Sequence, residues 1–187
     1  MIPAGYLLKR IAPRPEWLKA PQVTAVYSVA DCVSSDAVDI QRQWQHNAMG
    51  VASDPQTLWD LARQEGLDVS EARLFYYEVH ERQIDFDGLG RRRWQPLSRL
   101  PSAAEDATVV RPSRPTQLAG YDVVVSQDFL EHSPLSCNSV AEHLPVNEYC
   151  LLAELDQAVQ AIEGGVFNLC EPGIYRIFAV HEIEAKP

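Results

Sequence analysis

The sequence predicts an α+β fold: a mostly antiparallel sheet covered by helices, built by internal duplication of a β-α-α-β unit with pseudo-twofold symmetry. Three observations predict it. Landmarks recur in the same order in both halves. Cys32 and Ser34 precede one helix-like stretch, and Cys137 and Ser139 precede another. Asn47 and Asn147 precede helical segments that lead into Val79-His80-Glu81 and Val180-His181-Glu182. The offsets of 105, 100 and 101 residues are nearly constant, and colinear self-similarity reports repeated architecture. Each half also reads strand, helix, helix, strand. Finally, residues 87–117 carry Pro96, Pro101, Pro112 and Pro115, which interrupt helices and central strands. That segment joins pseudo-repeats 23–86 and 120–184 within a single domain, 1–187.

The elements follow in order. Tyr6 to Ile11 is a short strand or extended arm, closed by Pro13 and Pro15. Val23 to Val29 is apolar and β-branched and reads as a strand. Ser34 or Ser35 can cap a helix whose apolar face is Ala37, Ile40, Trp44 and Ala48 and whose end is Gly50. Asp54 and Pro55 start the next helix, with Leu58, Leu61, Ala62 and Trp59 inward and Gly66 as its stop. Arg73 to Phe86 is a long strand, central over Leu74 to Val79. Thr108 to Val110 adds an edge strand. Tyr121 to Ser126 is a strand, and Ser139 to His143 is a short helix ended by Pro145. Leu151, Leu152, Leu155, Val159 and Ile162 form a helical stripe ended by Gly164 and Gly165. Ile174 to Ile183 is the last, central strand. The two long strands pair with each other near the axis.

The charge is −10 and uneven. Residues 1–94 carry 11 basic and 13 acidic side chains, residues 95–187 carry 5 and 13. This field repels nucleic acid and attracts cationic partners. Arg91-Arg92-Arg93 is the one basic cluster, read as a solvated loop or a phosphate or acidic-peptide contact. No apolar stretch is long enough to span a bilayer. The N-terminus lacks the apolar core of a signal peptide. The expected location is cytoplasmic, with the four cysteines as reduced thiols. An apolar fraction of 46% suffices for a sizeable core.

The candidate chemistry is thin. Cys32 and Cys137 each precede a predicted helix start, where a thiolate is favoured. Cys137 with His181 or His143 as base would resemble a cysteine nucleophile, although no local signature of a cysteine enzyme surrounds it; the alternative is a small buried thiol. Cys137, His143, Cys150 and Cys170 offer zinc ligands, but without the tight ligand pairs of structural sites. His80 shares a strand face with Glu78, and a satisfied, half-buried histidine is the usual reading there. Arg176 in an apolar strand is either paired with a carboxylate such as Glu171 or faces a cleft and recognises an anion.

The second-half motifs Ser133-Pro-Leu-Ser-Cys137-Asn138, Asn147, Cys150, Cys170-Glu-Pro-Gly173 and Tyr175-Arg-Ile-Phe-Ala-Val180, with Tyr27-Ser-Val29, His46-Asn47 and Leu74-Phe-Tyr-Tyr-Glu78 in the first half, resemble a group of conserved bacterial proteins of unknown function. The resemblance implies a bacterial cytosolic protein and brings no catalytic residues. Ile174 and Ala48-Met49-Gly50 depart from the pattern, which has Pro before Tyr175 and an aromatic loop after Asn47.

The expectation is therefore a non-catalytic acidic binding protein without cofactor, holding a basic protein as inhibitor or immunity proteins do. Arg176, Asn138 and Asn147 are its candidate ligand-binding residues. The alternatives are the Cys137 enzyme and the structural zinc protein.

Overall fold

The structure is a computed structural model that describes residues 1–86, 92–100, 108–126 and 129–184. The first half contributes β1 (Ile2–Arg10), β2 (Ala12–Pro13), β3 (Ala25–Val26), β4 (Ser35–Asp36), α1 (Pro55–Glu65), β5 (Arg73–Val79), β6 (Arg82–Phe86) and β7 (Arg92–Pro96). The second contributes β8 (Thr116–Ser126), β9 (Leu130–His132), α2 (Pro134–Cys137), a 3₁₀ turn (Val140–His143), α3 (Leu155–Glu163) and β10 (Gly173–Ile183).

β10 organises the sheet. One edge pairs with β8 from Ile174 to Ile183. The other edge pairs first with β6, Tyr175 opposite Ile84, and then with β5, Phe178 opposite Val79. Between those pairs β10 advances three residues (175 to 178) while its partner spans five (84 to 79). The two extra residues leave a bulge at His80-Glu81, and bulges bend strands. The sheet forks there: β1 pairs along β5, and β7 pairs along β6. The bend curls the antiparallel sheet into a half-barrel. Its two faces carry separate apolar clusters, one around Leu7, Phe75, Tyr77, Phe178 and Val180, the other around Ile84, Val123, Val125, Tyr175 and Ile177.

The predicted helix-covered α+β layer is overturned. Strand makes up 35% of the chain and helix 16%, and the helices are few and short. The repeated β-α-α-β unit fails with it, because its first strand shrinks to two residues and its first helix does not form. Over Val23–Val29 only Ala25–Val26 is strand, paired with β2; Thr24 and Tyr27 donate to the carbonyls of Glu148 and Tyr149 instead. The helix expected after Ser34 is absent because tertiary pairing takes its first turn. The Ser34 hydroxyl, offered as a cap, donates to Val26 O and accepts from Ala12 N–H. Ser35 and Asp36 pair with the end of β1, and Ala37 N–H bonds Leu8 O at 2.7 Å. Propensity is a weak prior against such contacts.

The second half differs too. Leu151 and Leu152 are not on the helix; Leu152 bridges Tyr121 and Val146 in extended form, and α3 begins at Leu155. Thr108–Val110 is not a strand; Val110 N–H bonds Ser53 O. α1 forms where the sequence places it, with the Asp54 carboxylate accepting Gln56 N–H at 2.8 Å and Gly66 left-handed at its end. Of the connector, residues 87–91 and 101–107 lie outside the described residues, Arg91 among them. Arg92 caps α3, donating to the carbonyls of Ile162 and Glu163, as cations at helix C-termini do. No described helix is long and apolar enough to cross a membrane.

Candidate functional site

Three charged side chains sit in strands that are otherwise apolar, and together they gather two loops. Asp122 lies in β8 before Val123, Val124 and Val125, and is 1% exposed. Its Oδ2 accepts Val29 N–H at 2.8 Å and the Ser133 hydroxyl at 2.6 Å. Ser133 Oγ in turn accepts Ala30 N–H at 3.2 Å. Lys9 ends the apolar run of β1 and is 1% exposed. Its ammonium donates to Val29 O at 3.0 Å and Ala30 O at 3.2 Å, and lies 2.8 Å from Asp36 Oδ1. The loop at 28–36 is thus held from below by a carboxylate and an ammonium, and the same carboxylate holds Ser133.

A covalent bond completes the junction. The sulfurs of Cys32 and Cys137 are joined, with Cα atoms 6.3 Å apart, inside the usual span. A crosslink 105 residues long stabilises by about 4–5 kcal/mol in the chain-entropy account. The sequence predicted reduced thiols, and Cys137 as an activated nucleophile or zinc ligand. The structure pairs Cys32 with Cys137 instead of leaving both as thiols, and in that paired form Cys137 has no thiolate to offer. Spacing along the chain carried no sign of it, since the two cysteines are 105 residues apart and meet only in the folded chain.

Burial sets the protonation of this cluster. It raises the Asp122 carboxyl to about 6, against the hydrogen bonds of Ser133, Val29 and Val123 and the charge of Lys9. It also raises Asp36, which the Lys9 ammonium offsets only in part.

Above Asp36 opens a pocket of about 180 Å³, lined by Asp31, Asp36 and Asp39 with Ser35, Gln41 and a Leu7 and Leu130 floor. Among the described residues no Lys, Arg or His lines it, although the Lys9 ammonium is bonded to Asp36. Close along the chain to Gln41 and Leu130 stand three aromatic rings in contact through His46. Trp44 is 58% exposed at φ 53°, and its ring centroid is 5.8 Å from that of the buried His46. Phe129 meets His46 edge-on at 6.0 Å. Trp44, predicted to face inward on a helix, therefore faces out. Acids around a small cavity beside exposed aromatic faces suit a cationic side chain.

A larger groove of about 1230 Å³ runs between α1 and the segment 110–114, past Trp59, Arg63, Arg111 and Arg114. Its charges are of both signs, and Arg73 in it is already paired with Glu182 at 3.1 Å. The acid-lined pocket is the stronger candidate because the buried Lys9–Asp36 pair underlies it and two further aspartates line it.

The other predicted residues serve the fold or stand apart. Arg176, opposite the bulge, is fully buried; its Nη2 donates to Ser98 O at 2.8 Å and its Nε to Gln83 at 3.3 Å, while burial lowers its pKa to about 10. Glu171 pairs with Asn138 Nδ2 at 3.1 Å, not with Arg176. Burial works to raise Glu171, but hydrogen bonds from its own N–H and from Asn138, with the charge of His132, hold it below its ordinary value. Asn147 commits its side chain to the fold, accepting Tyr149 N–H in its own turn and donating to Ala119 O in β8. His181 lies 3.5 Å from Glu78, diagonal to it across β5 and β10. Burial lowers its pKa and the Glu78 charge opposes that. His80 takes Arg82 N–H on its ring at the bulge. His143 is exposed. The thiol of Cys150 is buried and pushed up to about 12, that of Cys170 to about 11. The zinc set Cys137, His143, Cys150 and Cys170 is not brought together.

Sequence reasoning missed Lys9, Asp36 and Asp122. A signal existed for two of them: a lone charge inside Tyr6-Leu-Leu-Lys9 and inside Tyr121-Asp122-Val-Val-Val, where burial demands a partner. Comparison of the chain with known protein families, with curated proteins and with solved structures finds no match.

Proposed function

We propose that this chain is a non-catalytic binding protein that takes a lysine or arginine side chain of a basic protein into the pocket of Asp31, Asp36 and Asp39, with Trp44 and Phe129 packing around it. The observation that carries the reading is the pocket itself: three aspartates on a 180 Å³ cavity, Asp36 paired with Lys9, and Asp31 and Asp39 exposed at its rim. The net charge of −10 favours encounter with a cationic partner. An exposed tryptophan beside a charged pocket is the usual anchor of a protein interface. A small acidic inhibitor occupying a basic partner is the class that fits. The cysteine-enzyme reading has less support, since the sulfur of Cys137 is bonded and the thiols of Cys150 and Cys170 are held protonated.

The test is titration with a lysine- and arginine-rich probe peptide at low and high salt. Binding that weakens steeply with salt, and by about tenfold or more in an Asp31→Asn, Asp39→Asn double variant, supports the reading. Both aspartates are exposed, so the variant keeps the fold. No binding at low salt, or binding indifferent to the double variant, contradicts it.

A further inference from the structure

The stapled loops hold a second constellation. A ring nitrogen of His132 and the sulfurs of Cys32 and Cys137 all lie within 4.8 Å of one another. Among the described residues no other three His, Cys, Asp or Glu side chains come together in this way. Each ligand is fixed by a different contact. His132 ends β9, paired with Val125. Cys137 is set by its N–H bond to Ser133 O at 2.9 Å. Cys32 follows Val29 and Ala30, which Lys9 and Asp122 hold.

Two thiolates and one imidazole are a zinc set that leaves a fourth position open. We propose that Cys32, His132 and Cys137 form a redox-gated zinc site, closed as the disulfide and open as the dithiol. Cys32 is exposed, so a reductant can reach the bond. A dithiol delivers two electrons and two protons to the S–S bond, leaving two cysteine thiols and becoming a cyclic disulfide itself. Zinc then displaces the two thiol protons and bonds both sulfurs and the neutral His132 nitrogen, with water as fourth ligand. In a reducing compartment the site is metal-competent; in an oxidising one it is a crosslink. This set shares only Cys137 with the one the sequence suggested.

The experiment adds zinc alone, and cobalt alone as a coloured substitute, to the full chain before and after reduction. Reduced wild type should bind one equivalent and show the thiolate-to-cobalt charge-transfer absorption, and oxidised wild type should show neither. Cys32→Ser should abolish the charge-transfer signal, and His132→Ala should weaken zinc by at least about tenfold. A Cys150→Ser, Cys170→Ser double variant should bind like wild type. Failure of the reduced protein to bind, equal binding by the oxidised protein, or binding unchanged by Cys32→Ser overturns the proposal. The oxidised and reduced wild type alone decide it should a variant not fold.

Discussion

Asn47 and Asn147 hold their turns with the same hydrogen bonds. Asn47 Oδ1 accepts Met49 N–H at 2.8 Å and its Nδ2 donates to Ala4 O at 2.8 Å. Asn147 Oδ1 accepts Tyr149 N–H at 3.0 Å and its Nδ2 donates to Ala119 O at 2.7 Å. The backbone N–H groups bond Val51 O and Leu151 O, each at 2.8 Å. Each side chain ties its turn to a strand, and each leaves half-buried or buried backbone groups orphaned when removed. Asn47→Ala and Asn147→Ala should therefore each lower stability by about 2–4 kcal/mol, read from urea unfolding midpoints at unchanged slope.

The strand residues after those two carbonyls are Gly5 and Gly120. Gly120 has φ +145°, and a Cβ there would stand 2.7 Å from Leu152 O and 2.8 Å from Leu151 Cβ. Gly66, also at positive φ, has nothing within 4 Å of such a Cβ. Gly66→Ala carries only the backbone cost of about 1 kcal/mol, whereas Gly120→Ala adds a clash with a paired main chain and should cost more than about 2 kcal/mol. Thermal unfolding of the two variants side by side checks the order.

Asp122 makes stability depend on pH. Its carboxyl sits at about 6 in the folded chain against an ordinary 3.8. Because the folded value is raised, the folded state holds the proton more tightly. The contribution is complete below pH ~4 and is lost as pH rises to about 6, amounting to roughly 3 kcal/mol at most. Wild type minus Asp122→Asn stability, measured by denaturation from pH 4 to 7, should fall across that window. A flat difference would remove the buried-carboxylate account.

Trp44 links fold to function. It is exposed and left-handed, so it contributes little to the core. Trp44→Gly should leave stability within about 1 kcal/mol, because relieved backbone strain offsets the added freedom of the unfolded chain. The same change should weaken the basic probe peptide by about 2 kcal/mol if Trp44 anchors the interface. Calorimetric unfolding and peptide titration on one preparation separate the two effects.

What the sequence disclosed follows the range of the forces involved. α1 was legible because its signals are local: the Asp54 cap, Pro55, the Leu58 and Ala62 spacing and Gly66. The strands at 73–86 and 174–183 were legible as apolar runs, and the structure pairs them directly. The recurrence at offset 100 was real as text, but what it marks is a turn built on asparagine, not a β-α-α-β unit. The segment 34–50 misled because Ala37, Ile40 and Ala48 are buried at helical spacing while their backbone serves β1 and a series of turns. The site was illegible because Lys9, Asp36, Asp122, Cys32 and Cys137 come from distant parts of the chain, and only the curled sheet makes them neighbours.

The loops at 28–39 and 132–138 are joined into one unit through Cys32 and Cys137. The direct measurement is a thiol count on the chain, unfolded without reductant after treatment with oxidised glutathione, followed by mass mapping of the crosslinked peptides. Two free thiols, on Cys150 and Cys170, and one Cys32–Cys137 peptide pair are the predicted result. Four free thiols, or a crosslink that involves Cys150 or Cys170, would contradict it.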